Sequence, residues 1–154
     1  MALQTSDAQD SDVSRPNIVV GIDGSDASLD ALDWAGRQAY LTGSRLEIIM
    51  TWEWPNTSAW GAYLPGDYNP SEGMPGLLAK AADELRAKHD DIEIMSRVVE
   101  GHPASVLVDA TKGADLLVVG SRGHGEFVGM LISSVSEYCV THAHCPVLVH
   151  RAVV

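Results

Sequence analysis

The sequence predicts an α/β fold with an open, five-stranded parallel sheet and helices on both faces. Apolar runs rich in β-branched residues alternate along the chain with segments whose apolar residues recur at helical spacing. The apolar residues are mainly aliphatic, with a single Phe among 154 residues, which suits an α/β core. Because strands that alternate with helices are joined by right-handed crossovers, the five strands should run parallel, covered on both sides.

Five strands and four helices are predicted in order. The strands cover residues 17–23, 45–54, 92–99, 115–120 and 146–150. The helices cover residues 26–41, 77–88, 104–111 and 134–143. Gly43 and Gly113 end the first and third helices, and Pro103 suits the first turn of the third. Pro146 opens the last strand, so that strand should lie at an edge of the sheet.

The segment from residue 55 to residue 76 is predicted to be a long loop. It contains four prolines, four glycines and no clear period. Loops of this length in a compact domain are usually functional or mobile. Aromatic side chains gather around it and could stack on a base, cover a dimer surface or simply pack: Trp52, Trp54, Trp60, Tyr63 and Tyr68.

Length and composition fit one domain, which we expect at residues 16–154, preceded by a disordered tail at 1–15. The tail has neither the basic start nor the apolar run of a signal peptide, so we predict a cytoplasmic protein without a membrane anchor. Cys139 and Cys145 are then expected to be reduced and to act as small core residues. A formal charge of −11 disfavours binding to nucleic acid or anionic lipid.

A glycine-rich turn after the fourth strand predicts a phosphate-binding site. Gly120 and Gly123 allow backbone N–H groups to approach a phosphate closely, and the next helix begins with a run of serines. Arg122 is the one cation of this turn, so a divalent ion is expected to share the neutralisation of the phosphates. A second turn after the first strand, at residues 21–26, could supply the base and ribose side. Both turns would meet in one crevice if the two strands are neighbours.

Three stretches of the chain resemble the universal stress protein family: residues 20–25, 115–125 and 145–149. The resemblance covers about residues 16–151. It implies a Rossmann-like sheet of the adenine nucleotide alpha hydrolase type with strand order 3-2-1-4-5. It also implies a homodimer formed through the last strand, at Pro146, Val147, Leu148 and Val149, and, in one subclass, an ATP site.

The ATP-binding subclass has the pattern Gly-x2-Gly-x9-Gly-Ser/Thr, and this chain departs from it at one position. Gly120, Gly123 and Ser134 match, whereas Ser133 replaces the third glycine. If that position needs a positive φ, serine costs about 1 kcal/mol, and its side chain could obstruct a phosphate. Its hydroxyl could instead donate to a phosphate oxygen, and simple helix capping is a further interpretation of the serine run.

The resemblance implies a set of nucleotide-binding residues. The base and ribose side would be formed by Gly21, Ile22, Asp23, Thr51 and Val119. The ribose and phosphate side would be formed by Gly120, Arg122, Gly123, Ser133, Ser134, Val135 and Ser136. The expected ligand is ATP with Mg²⁺.

The predicted function is that of an ATP-binding regulatory or stress-response homodimer. Dedicated catalysis is not expected, because the chain has no Gly-x4-Gly-Lys-Ser/Thr phosphate loop and no nucleophile with a placed base. The alternatives are a nucleotide-free dimeric interaction protein and a weak ATPase. Metal sites are disfavoured at the acidic residues of the first helix, which suit its dipole, and at His142, His144 and Cys145, which lack a fourth ligand.

Overall fold

The computed structural model describes residues 15–56, 64–122 and 132–151. Its strands are β1 (Asn17–Ile22), β2 (Arg45–Trp52), β3 (Ile94–Glu100), β4 (Leu116–Gly120) and β5 (Val147–His150). Its helices are α1 (Asp26–Thr42), α2 (Met74–Lys88), α3 (Pro103–Ala110) and α4 (Ser134–His142). The strands form one parallel sheet of order β3-β2-β1-β4-β5. The predicted fold class and strand order are confirmed.

Element boundaries differ from the prediction by more than one residue at three places: the start of α2, the end of β2 and the start of β3, which begins at Ile94 rather than at residue 92. Helix α2 begins at Met74, three residues before the predicted start, because Pro75 lies in its first turn, where a missing N–H costs no helical hydrogen bond. Strand β2 ends at Trp52 rather than at residue 54, because its partner β3 ends there and the N–H of Gly101 already donates to the carbonyl of Trp52. None of the described helices is long and apolar enough to cross a membrane.

The sheet separates two cores. Helices α1 and α2 cover one face and bury alternate residues such as Val20 and Ile48, and this side is called the α1/α2 face below. Helices α3 and α4 cover the opposite side, the α3/α4 face, where Val19 and Ile49 are buried. Neighbouring residues of one strand therefore enter different cores, as the twofold period of a β-strand requires.

The direction of winding reverses between β1 and β4. From β1 the chain moves outward through β2 to β3, and it then returns across the sheet to place β4 on the other side of β1. The register pairs Ile18 with Leu116 and Val20 with Val118, so the carboxyl ends of the two strands lie side by side. A crevice at this reversal is the usual ligand site of open α/β sheets. Strand β5 forms the sheet edge beyond β4, as Pro146 predicts.

Candidate functional site

A cavity of about 260 Å³ lies at the carboxyl ends of β1, β2 and β4. The residues that line it and were predicted from the sequence are Gly21, Ile22, Asp23, Thr51, Val119, Gly120, Arg122, Ser133, Val135 and Ser136. The two turns that were expected to meet if β1 and β4 were neighbours thus do lie around one cavity. Their role in nucleotide binding stays a prediction.

One predicted residue of the described chain, Ser134, does not line the cavity. Ser134 is exposed to solvent on the first turn of α4 and is absent from the lining. Its backbone N–H nevertheless belongs to the helix start that faces the cavity. Gly123 lies outside the described residues.

Four lining residues were missed by the sequence analysis: Ser28, Ile49, Pro103 and Leu107. The alternation of β2 would have indicated Ile49, because it lies two residues from Thr51 and therefore on the same side of the strand. Ser28 stands three residues after Ser25, which is the spacing of a capping interaction. Pro103 and Leu107 are brought in by the packing of α3 on the sheet, for which the sequence has no local signal.

The turn between β1 and α1 holds the Asp23 carboxylate in place through two serines. Ser25 donates from its backbone N–H (2.9 Å) and from its hydroxyl (2.5 Å) to Oδ1 of Asp23. Ser28 accepts a hydrogen bond from the N–H of Asp23 (3.2 Å) and donates its own hydroxyl to the carbonyl of Ser25 (2.9 Å). Gly24, with φ of 84°, makes the tight turn between them. The carboxylate is thereby presented at the cavity as a hydrogen-bond acceptor.

The start of α4 shows how the departure from the glycine pattern is accommodated. Ser133 has φ −71° and ψ 158°, so this position does not require a positive φ and the serine is unstrained there. Its hydroxyl oxygen accepts the N–H of Ser136 (3.1 Å), which makes Ser133 the N-cap of the helix. The capping interpretation of the serine run is confirmed for Ser133.

Further hydrogen bonds tie this helix start to the end of β4. The hydroxyl of Ser133 donates to the hydroxyl oxygen of Ser136 (2.9 Å), which in turn donates to the carbonyl of Gly120 (2.6 Å). The backbone N–H of Ser133 donates to the carbonyl of Ser121 (2.7 Å). Helix α4 is therefore fixed against the strand that ends at the cavity.

The inner wall of the cavity is apolar, and its shape depends on a glycine, Gly21. A Cβ on Gly21 would stand 2.6 Å from Cδ1 of Leu107, so a larger residue could not occupy this position without displacing that leucine. Ile49 and Val119 lie beside Leu107 in the same core cluster. The result is an apolar surface that suits the face of a flat ring.

Charges in the lining are few and opposite in sign. Asp23 and Arg122 are both exposed, and no other residue of the described lining carries a formal charge at neutral pH. Cys139 lies on the buried side of α4, where burial raises the pKa of its thiol to about 11, so this cysteine stays protonated at neutral pH. Cys139 is a core residue as predicted, whereas Cys145 is only partly buried.

The other candidate groups that the structure describes are absent from the cavity lining. Trp52 and Trp54 make an edge-to-face contact with ring centroids 5.6 Å apart, and neither lines the cavity. Trp60 and Tyr63 lie outside the described residues. His142 places Nδ1 3.0 Å from the carbonyl oxygen of Tyr138, within its own helix. Over residues 15–56, 64–122 and 132–151, no three His, Cys, Asp or Glu side chains are grouped as metal ligands would be.

The fold and the cavity define a doubly wound α/β protein with a ligand crevice at its switch point. The model of the Universal stress protein family matches residues 15–151. A universal stress protein of Mycobacterium tuberculosis (strain CDC 1551 / Oshkosh) is 35% identical over 136 residues, which are 87% of this chain and 44% of the relative. One of Mycolicibacterium smegmatis is 33% identical over 138 residues, 90% of this chain and 46% of the relative. The chain spans about half the length of the curated relatives it matches.

Solved structures agree with this comparison. A universal stress protein in complex with cAMP is 32% identical, with a TM-score of 0.66, and the match covers 88% of this chain and 96% of that one. The universal stress protein of Lactobacillus plantarum is 27% identical, with a TM-score of 0.68, and the match covers 90% and 99%. The chain belongs to the universal stress protein family.

Proposed function

We propose that this chain binds an adenine nucleotide in the cavity at the ends of β1 and β4 and acts as a regulatory protein of the stress response. The proposal is supported by one observation: the Asp23 carboxylate, an apolar wall and the N-terminus of α4 all border one cavity. That cavity lies at the switch point of the sheet, where open α/β sheets usually bind ligands. A related structure of 32% identity was solved with cAMP, which supports the same ligand class here.

The arrangement of the lining matches the three parts of a nucleotide. The base would pack on the apolar wall formed by Ile49, Leu107 and Val119. The carboxylate of Asp23 would accept hydrogen bonds from the ribose hydroxyls. The N-terminus of α4 and the guanidinium of Arg122 would attract the phosphate, since both carry positive charge.

ATP with Mg²⁺ is the ligand that the sequence predicts. Arg122 is the only cation of the described lining, and Asp23 opposes it, so the protein itself supplies little charge against a triphosphate. A bound Mg²⁺ would supply the missing positive charge beside the phosphates. Nucleotides with fewer phosphates are candidates for the same cavity.

Mass spectrometry of the denatured protein, purified without added nucleotide, is the first test. An adenine nucleotide near one per chain is the expected result. Calorimetric titration with adenine nucleotides then compares Asp23→Asn with Asp33→Asn. Both variants remove one negative charge, but Asp33 is paired with Lys88 (2.9 Å) away from the cavity, so only Asp23→Asn should lose binding. A folded dimer that binds none of the nucleotides would support the nucleotide-free alternative.

We also propose that the protein is a homodimer joined at β5. The strand is a sheet edge, and its side chains are only partly buried in the single chain. The carbonyls of Pro146 and His150 face β4, where they accept N–H groups from Leu117 and Ser121. Because successive residues of a strand alternate in direction, the backbone of Val147 and Val149 faces outward and can pair with a second copy.

A proline substitution tests the edge without disturbing the sheet inside the chain. Val149→Pro removes an outward N–H while the hydrogen bonds between β4 and β5 remain, and Val149→Ala keeps that N–H as the control. Light scattering after gel filtration should show a monomer for Val149→Pro and a dimer for Val149→Ala. Dimers of both variants would place the interface elsewhere.

A further inference from the structure

The start of α4 has four backbone N–H groups without a partner inside the helix, as every α-helix does. They belong to Ser133, Ser134, Val135 and Ser136. Two of the four are already used within the chain, since Ser133 donates to the carbonyl of Ser121 and Ser136 donates to the hydroxyl of Ser133. Among the described residues, the N–H groups of Ser134 and Val135 have no hydrogen-bond acceptor, and they remain as donors for a ligand.

The two buried hydroxyls at this helix start are also committed. A serine hydroxyl carries one proton. The proton of Ser133 is donated to Ser136, and that of Ser136 is donated to the carbonyl of Gly120. Both side chains are at least nine-tenths buried, so these bonds are shielded from water. The chain of hydrogen bonds leaves neither hydroxyl with a proton for a phosphate oxygen.

We propose that Ser133 restricts the cavity to a nucleotide with a single phosphate group, linear or cyclic, in preference to a di- or triphosphate. The inference rests on the proposed function and specifies its ligand. Two adjacent N–H groups and one guanidinium suit one phosphate, whereas a longer chain would need the Ser136 N–H, which Ser133 covers. Ser133 acts as a specificity residue because it lines the cavity and its hydroxyl oxygen occupies the N–H of Ser136.

The test is a calorimetric titration with AMP, cAMP, ADP and ATP, the last two with excess Mg²⁺, on the unmodified chain and on Ser133→Gly. The unmodified chain should bind AMP or cAMP more tightly than ATP by about tenfold or more, which is the ratio expected for one charge-assisted hydrogen bond. Ser133→Gly should reduce that ratio by about tenfold, mainly through tighter ATP binding. Glycine is itself a tolerated N-cap, so the variant is expected to fold.

Two further variants test whether the hydroxyl of Ser133 causes the preference. Ser133→Ala frees the Ser136 N–H but keeps the Cβ, so it should shift the ratio in the same direction if the covered N–H is the cause. Thr141→Ala removes an exposed hydroxyl from the same helix, which donates to the carbonyl of Glu137 (3.0 Å) away from the cavity, and should leave the ratio unchanged.

The outcomes distinguish this inference from the function on which it rests. Equal affinity for AMP and ATP in the unmodified chain, tighter binding of ATP, or a ratio that Ser133→Gly leaves unchanged would overturn the role of Ser133 while nucleotide binding stands. Absence of binding by every nucleotide of the series would overturn both.

Discussion

The two faces of the sheet differ in how much apolar side chain they bury. In the described residues, sixteen buried residues form the core under α1 and α2, whereas six form the core under α3 and α4. The cavity opens on the second side, between Leu107 and the start of α4. Among the described residues, the α1/α2 face therefore buries most of the apolar side chains, whereas the α3/α4 face contains the cavity.

The largest effects are expected for one buried leucine on each face of the sheet, whose replacement by alanine should cost different amounts of stability. Leu85 of α2 and Leu107 of α3 are both buried, but only Leu107 borders the cavity. Leu→Ala changes in cores cost about 2–5 kcal/mol, and we expect Leu85→Ala near the upper end and Leu107→Ala near the lower. Urea denaturation measures both, and nucleotide affinity should fall only in Leu107→Ala. A greater loss of stability in Leu107→Ala would contradict the comparison.

Two glycines that accommodate these leucines give the next largest effects. A Cβ on Gly36 would lie 2.4 Å from Cδ1 of Leu85, and one on Gly21 would lie 2.6 Å from Cδ1 of Leu107. Gly36→Ala should lower the stability of the protein. The overpacking against Leu85 costs about 1–3 kcal/mol, which exceeds the gain of about 1 kcal/mol in helix propensity.

In Gly21→Ala the displaced Leu107 can move into the cavity, so the loss of stability should be smaller than in Gly36→Ala. The same movement fills the binding site, and nucleotide affinity should fall by at least about tenfold, since one core-sized contact is lost. Thermal unfolding and titration of both variants test the pair. Unchanged affinity in Gly21→Ala would show that the ligand does not use the wall at Leu107.

The N-caps of α1 and α4 should contribute equally to the free energy of unfolding, although the two helices pack on different cores. Ser25 and Ser133 each accept the N–H of the residue three positions later, at 3.3 and 3.1 Å. Replacement of either by alanine should lower the free energy of unfolding by about 1 kcal/mol. Denaturant titrations of the two variants check this. A cost for Ser25→Ala alone would mean that the start of α4 contributes little to stability.

The smallest expected effect is a difference in the rate at which two cysteines react with thiol reagents, and it involves no change of stability. Cys139 is fully buried, and its pKa is raised to about 11 by that burial, so at neutral pH it carries a proton and reacts poorly with thiol reagents. The pKa of Cys145 is also raised, but this cysteine is partly exposed and should react first. Labelling followed by mass spectrometry measures both rates. Reaction of Cys139 faster than global unfolding would show that this face opens locally.

The sequence could predict the strands and helices because the signals for them are local, whereas the strand order was predicted only from the resemblance to a family. The period of each apolar run and the glycines and prolines at its ends indicate the strands and helices, and the early start of α2 was missed only because Pro75 was assigned to the loop. Turn residues such as Asp23 and Gly120 could be predicted for the same reason. Leu107 could not, because its place in the cavity depends on how α3 packs against Gly21. The φ of Ser133 also needed the structure, since the sequence allowed either sign.

The hydrogen bond from the N–H of Asn17 to Oδ2 of Asp115 joins residues 98 positions apart, and the neighbouring strands β1 and β4 have the same separation. During synthesis at about 5–20 residues per second, β1 therefore waits on the order of 5–20 s for its partner. One wall of the cavity follows β1 and is synthesised first, and the other follows β4 and is synthesised last. A nascent chain that ends before α4 lacks one wall of the cavity, so binding of the proposed nucleotide would require that translation has passed α4.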